Sequence, residues 1–208
     1  MTFDPQIAVK RALSMLGRKE PYVLGAGNYD VRTPDEPFTA ITIKGREVRG
    51  CDCWGFAGAW CLGIPRHRPG YNVGSWATVS DDVNCDSAIE QAEHTQSRDR
   101  VFEAVELPSV GDLLVWPSVR CPGCGQCQGR VQPVRPKGHR LRIGHVGIIV
   151  AVPSEWDAFD PPYGLLDVAQ CCARTPAIRR TNGAAWLGRA QYMDRVNVAW
   201  RTRILRAA

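Results

Sequence analysis

The chain reads as an α+β protein in which a central antiparallel sheet packs against an N-terminal helix bearing a thiol near its start. Three stretches predict this. Asp52-Cys53-Trp54-Gly55-Phe56 opens a segment with Phe56, Ala57, Trp60 and Leu62 at helical spacing. Ile143 to Ala151 is a β-branched run with the character of a strand buried on both faces. Leu113-Leu114-Val115-Trp116 and Tyr163 to Cys172 read as further strands.

Taken in order, Asp4-Pro5 places an N-cap and a first-turn proline before an amphipathic helix through Leu16, which Gly17 ends. Phe38 to Ile43 forms one arm of a hairpin that turns at Lys44-Gly45 and can wall one side of a cleft. Asp52 caps the second helix and Gly63 terminates it, so Cys53 falls in the first turn. A loop with Arg66, His67 and Arg68 follows, then Gly74 to Thr78, then a polar helix around Ser87 to Thr95. Gly111-Asp112 makes the turn into the strand Leu113 to Trp116. Residues 117–142 interrupt the core strands as a cysteine-containing insertion. Near the end, Val196, Val198, Trp200 and Ile204 alternate with Asn197, Arg201 and Arg203, the pattern of a half-buried strand with a basic outer face.

With 208 residues and 44% hydrophobic content, the chain forms one core, so residues 1–208 are read as a single catalytic domain. The first twenty residues lack an apolar stretch of signal-peptide length, and no segment approaches the ~20 apolar residues that span a bilayer. A protein soluble at synthesis in the cytoplasm is expected. The net charge of +5 is concentrated late in the chain, at Arg179, Arg180, Arg189, Arg195, Arg201, Arg203 and Arg206. This face suits either an anionic surface or simple solvation. Nucleic acid is not expected, because no stripe interleaves aromatic and basic residues and no recognition-helix pattern is present.

Cys53 and His145 are the candidate catalytic pair. The positive end of a helix favours thiolate over thiol, and a nearby imidazolium favours it further. His145 is a polar residue within an apolar strand, where its ring nitrogens need partners. Gln170, on the next strand, is the candidate orienter: pairing of the strands would let it accept from His145 Nδ1 and leave Nε2 toward the Cys53 sulfur. Each residue also has a bland reading, as a buried structural cysteine, a satisfied core histidine and an ordinary amide. Their combination points to acyl transfer. The Cys53 thiolate attacks a carbonyl, its backbone N–H helps bind the oxyanion, and His145 protonates the leaving amine before activating water.

The order of these motifs resembles the NlpC family of bacterial cell-wall cysteine peptidases, a circularly rearranged relative of the papain fold. The family pattern is Asp-Cys-Ser-Gly-Phe, Pro-x-x-Gly-Asp-Leu-Leu-x-Trp/Phe, Gly-His-Val-Gly-Ile, and a strand ending in a third polar residue. Here these read Asp52 to Phe56, Pro108 to Trp116, Gly144 to Ile148, and Val168-Ala169-Gln170. Pro21-Tyr22-Val23-Leu24-Gly25 matches an upstream Tyr-x-x-Gly stretch whose tyrosine lines the nucleophile's pocket. Two positions depart from the pattern: Trp54 replaces the family's serine, and Gln170 stands where histidine is most common.

The resemblance implies a papain-like, NlpC-type fold and cleavage of an amide bond in peptidoglycan, either within the stem peptide or between N-acetylmuramic acid and L-alanine. It implies substrate contacts from Tyr22, Asp52 and Trp54. Trp76 is a further candidate as a substrate platform, or alternatively closes the core. With no export segment, and with Leu62 to Arg66 and Gly74 to Trp76 resembling phage elements, a bacteriophage or phage-derived lysin is expected, acting at the wall or from a phage tail. A CHAP-type amidase and a catalytically silent tail or assembly protein are the alternatives.

Cys121, Cys124 and Cys127 place three of the nine cysteines within seven residues, and Gly138-His139 follows. Tight Cys-x-x-Cys turns present thiolates to one ion, so these three and His139 are candidate ligands of a structural zinc. Free thiols, a disulfide and an iron–sulfur cluster are the alternatives. No cofactor is expected for catalysis. Nine is odd, so at least one thiol stays outside any intramolecular disulfide. Cys51 precedes the cap, while Cys61, Cys85, Cys171 and Cys172 read as small buried hydrophobes.

Overall fold

The computed structural model describes residues 3–23, 38, 41–43, 45–64, 92, 101–116, 145–156, 163–183 and 203–207. Helix α1 spans Pro5–Ser14. Asp4 Oδ1 accepts from the N–H groups of Gln6 at 2.9 Å and Ile7 at 3.3 Å, the expected cap. Strands β1 (Ile41–Ile43) and β2 (Arg46–Val48) form the expected hairpin, with Ile43 opposite Arg46 and Gly45 at φ +75°.

The main sheet holds β3 (Phe102–Ala104), β4 (Leu113–Trp116), β5 (His145–Ala151), β6 (Asp167–Cys171), β7 (Ile178–Asn182) and β8 (Arg203–Ala207). Its order is β3-β8-β4-β5-β6-β7 and every pairing is antiparallel. The α+β class and the antiparallel sheet are as expected. Strand β6 is shorter than expected, because Tyr163–Leu165 winds as a 3₁₀ turn before it. The backbone of Gly183 presses against this turn, where a Cβ would stand 1.5 Å from the Tyr163 carbonyl oxygen.

Both faces of the sheet are covered. On one, α1 and a helix over Gly55–Cys61 pack against β5, and the latter also against β6. Leu113, Val115, Val146, Ile148, Ala169, Cys171 and Leu205 meet Phe56, Ala57 and Met15 there. The other face buries Leu114, Ile149, Leu166, Val168 and Ile204 beneath Trp156 and Tyr163. Strand β8 lies between β3 and β4, and Ile204 and Leu205 are buried on opposite faces; of the strand expected near the C-terminus only Arg203, partly exposed, and Ile204, buried, are described, and they keep the expected alternation. Residues 184–202, with the rest of that expected strand, lie outside the described residues.

The second helix is wound more widely than the 3.6-residue spacing implies. Phe56 N–H still donates to Asp52 O at 3.0 Å, an α turn, but Gly55–Cys61 is a π-helix in which Leu62 N–H reaches back to Ala57 O at 3.3 Å. The Trp54 indole folds back over Gly58, where a Cβ would lie 2.4 Å from Trp54 Cε2. It also meets Phe102 edge-on, with centroids 5.9 Å apart. The wider turn leaves room for this ring against its own helix. Gly63, at φ +73°, closes the helix as expected, with Gly63 N–H donating to Ala59 O and Ile64 N–H to Gly58 O. Arg11 of α1 reaches the carbonyls of Trp60 and Cys61 at this end, and Trp60 Nε1 donates to Arg11 O at 3.1 Å.

Candidate active site

Cys53 sits where the sequence places it, in the first turn of a capped helix. Asp52 Oδ1 accepts from Gly55 N–H at 2.8 Å, a buried cap that fixes the start of the helix. Directly before it, Pro21–Val23 runs beside Cys51: Val23 N–H donates to Cys51 O at 3.0 Å and Cys51 N–H to Pro21 O at 3.3 Å. Gly50 permits this approach, since a Cβ there would come within 2.5 Å of Pro21 O. The half-buried Tyr22 is thus brought to the residues that lead into Cys53.

His145 begins β5 and Gln170 lies near the end of β6, with Gly147 opposite Gln170. The diagonal across this register brings His145 Nε2 to 2.7 Å from Gln170 Oε1, a buried hydrogen bond. The pairing is the expected one, but the ring nitrogen is the other one. An amide oxygen only accepts, so Nε2 carries the proton, and Nδ1 is the ring nitrogen not engaged by Gln170. Entering the strand at its first residue, the imidazole turns its Nε2 edge to β6 along the sheet, an orientation that residue order alone does not encode.

The alternation along β5 and β6 puts His145 and Gln170 on the face of Ile149 and Val168, while Cys53 packs with Val146, Ala169 and Cys171 on the other. Cys53 is close enough to Cys171 for its charge to oppose ionisation there, and Cys171 directly follows Gln170. Cys53, through its closeness to Cys171, and Gln170, the residue before Cys171, are thus both at the end of β6. Cys53 is 4% exposed, His145 8% and Gln170 6%.

The expected substrate contacts divide. Trp54 is 1% exposed and packs in the core against Phe102 and Gly58, a place that suits structure rather than substrate contact. Asp52 is buried, with one carboxylate oxygen engaged as the cap. Trp76 and the candidate zinc ligands Cys121, Cys124, Cys127 and His139 lie outside the described residues.

Two relationships escaped the sequence reading. The sulfurs of Cys51 and Cys171 are 3.3 Å apart, and Cys171 Sγ also donates to Cys51 O at 3.4 Å. The hydrogen bond with Cys51, then burial, push the Cys171 thiol well above its ordinary range. Arg206, counted above with the basic surface, instead grips the buried Asp112 in a two-point contact at 3.0 and 2.8 Å. A buried aspartate after Gly111 is the one local signal that a cation was needed. Arg180 likewise pairs with Asp167.

Compared with known families, curated proteins and solved structures, the chain matches none.

Proposed function

We propose that the chain is a cysteine hydrolase with a papain-like, NlpC-type arrangement that cleaves an amide bond of bacterial peptidoglycan through an acyl enzyme. The observation that carries this reading is the buried 2.7 Å bond between His145 Nε2 and Gln170 Oε1, with Gln170 directly before Cys171, the thiol whose ionisation nearby Cys53 opposes. A neutral amide fixes the imidazole without adding charge, and the helix end favours a thiolate.

On this reading Nδ1 is the working nitrogen. It takes the Cys53 proton, delivers it to the leaving amine, and then removes one from water to release the acyl group. The Cys53 N–H helps hold the oxyanion, and Tyr22 adds a donor near the nucleophile. Gln170 Oε1 stabilises the imidazolium through Nε2–H. The substrate, stem peptide or muramoyl-L-alanine amide, follows from the motif resemblance, as does action at the wall as a phage or phage-derived lysin. In the insertion, Cys121, Cys124, Cys127 and His139 are proposed to hold one structural zinc; elemental analysis giving about one zinc per chain, lost in a Cys124→Ser variant, checks this.

Digestion of purified peptidoglycan under reducing conditions, with mass spectrometry of the new amino groups, tests the function. New L-alanine amines mark an amidase and new diamino-acid amines an endopeptidase. Cys53→Ala should reduce either by at least about 10³-fold. Unchanged lysis rejects Cys53 as nucleophile. A silent wall- or tail-binding module draws support from the burial of Cys53, and wall binding without new ends would favour it.

A further inference from the structure

We propose that Cys51 and Cys171 form a reversible disulfide that clasps the entry to the Cys53 helix onto strand β6. The two thiols lie 120 residues apart in sequence, yet their sulfurs stand 3.3 Å from each other. Both side chains are fully buried. A disulfide needs a sulfur separation of about 2.05 Å, so closing the bond requires a movement of only about 1.3 Å.

The backbone on both sides is already held. Cys51 is anchored by its bonds to Pro21 and Val23, and Cys171 is paired with Ile178 across β6 and β7. Cys172 N–H, one residue on, donates to Ala177 O at 2.9 Å. The clasp would therefore join two ordered segments, one ending two residues before Cys53 and the other starting one residue after Gln170.

A hydroperoxide supplies the oxidising equivalents. With hydrogen peroxide, one thiol becomes a sulfenic acid and releases water. The second sulfur displaces the hydroxyl, forming the S–S bond and releasing a second water. Two thiols and one peroxide thus give one disulfide and two waters. A dithiol reductant reverses the reaction by exchange. In the reduced protein, burial and the mutual hydrogen bond keep Cys171 protonated, so oxidation is slow compared with that of an exposed thiol. The clasp needs no working nucleophile, and its test is independent of the proposed hydrolysis.

The purified chain is incubated with hydrogen peroxide or with dithiothreitol, unfolded, alkylated and mapped by mass spectrometry. The expected product after peroxide is a linked peptide pair containing Cys51 and Cys171, lighter by two hydrogens and restored by dithiothreitol, in the wild type and in Cys53→Ala alike. The long loop it closes should raise the Tm by roughly 5–15 °C. In Cys51→Ala and Cys171→Ala the linked pair should vanish, and peroxide should no longer raise the Tm. Should either variant fail to fold, the wild-type map decides alone. Separate alkylation of Cys51 and Cys171 after peroxide, or a Cys51–Cys53 link in their place, overturns the inference.

Discussion

Two buried polar pairs lie toward opposite ends of β4 and β5, and they differ in how they are held. At one end Asp112 accepts from Arg206 Nε and Nη2 and from Ser109 N–H. Arg206 Nη2 further reaches Leu107 O and Ser109 Oγ, both at 3.1 Å. Charge is neutralised and the carboxylate is held from several sides. At the other end, His145 opposes Trp116 in register and bonds the neutral amide of Gln170. That contact engages one ring nitrogen, Nε2. A closed charged knot stabilises the fold, whereas the amide mainly fixes the orientation of the ring.

The widest separation between the two ends comes from removing the imidazole. His145→Ala should lower peptidoglycan hydrolysis by about 10³-fold, within the usual range for a general acid–base group, while unfolding costs change by about 1–2 kcal/mol. A variant that loses stability but keeps its rate would erase the contrast. Asp112→Ala should do the reverse. Stranding Arg206 should destabilise by about 2 kcal/mol, less than a fully buried pair because the Arg206 side chain is 36% exposed. Rate per folded molecule should hold; urea titration read beside the hydrolysis assay checks both.

Gln170→Leu sharpens the point, because it keeps volume and removes only the acceptor. A fall of about 10–100-fold in kcat is expected, with Gln170→His recovering most of it. Equal loss in both variants would mean that Gln170 serves packing alone. The smallest effect concerns the thiols on the helix-covered face. Burial raises Cys61, and the Cys51 bond followed by burial raises Cys171, above the ordinary thiol value of 9.0. A raised folded pKa keeps the proton on in the native state while the unfolded chain loses it, so stability is full below about pH 9 and falls as pH rises beyond it. Each such thiol contributes up to about 1.4 kcal/mol per pH unit. The fall, followed by Tm between pH 8 and 10, should be shallower in Cys61→Ala.

Much of the framework was legible in the residues. Asp4 and Asp52 cap helices, Gly63 ends one, Lys44-Gly45 marks a hairpin and Gly111-Asp112 leads into β4, because caps and turns are encoded within four or five residues. The His145 and Gln170 partnership was also foreseeable, since a buried polar residue on one strand calls for another on its neighbour. Which nitrogen would be used was not. Nor was the wide winding at Gly55–Cys61, which depends on Trp54 lying over Gly58 and against Phe102 from a distant strand.

The amino-acid order alone determined where the helices and turns begin and end, the buried character of β5 and β6, and the identity of the polar groups placed among apolar ones. It did so because those signals act between near neighbours. The folded arrangement decided that Arg206 answers Asp112 across 94 residues of chain and that Cys51 meets Cys171 across 120. It also decided that His145 presents its Nε2 edge to Gln170. Such contacts are set by strand register and by the angle at which a helix crosses a sheet, and these exist only once the whole core has packed.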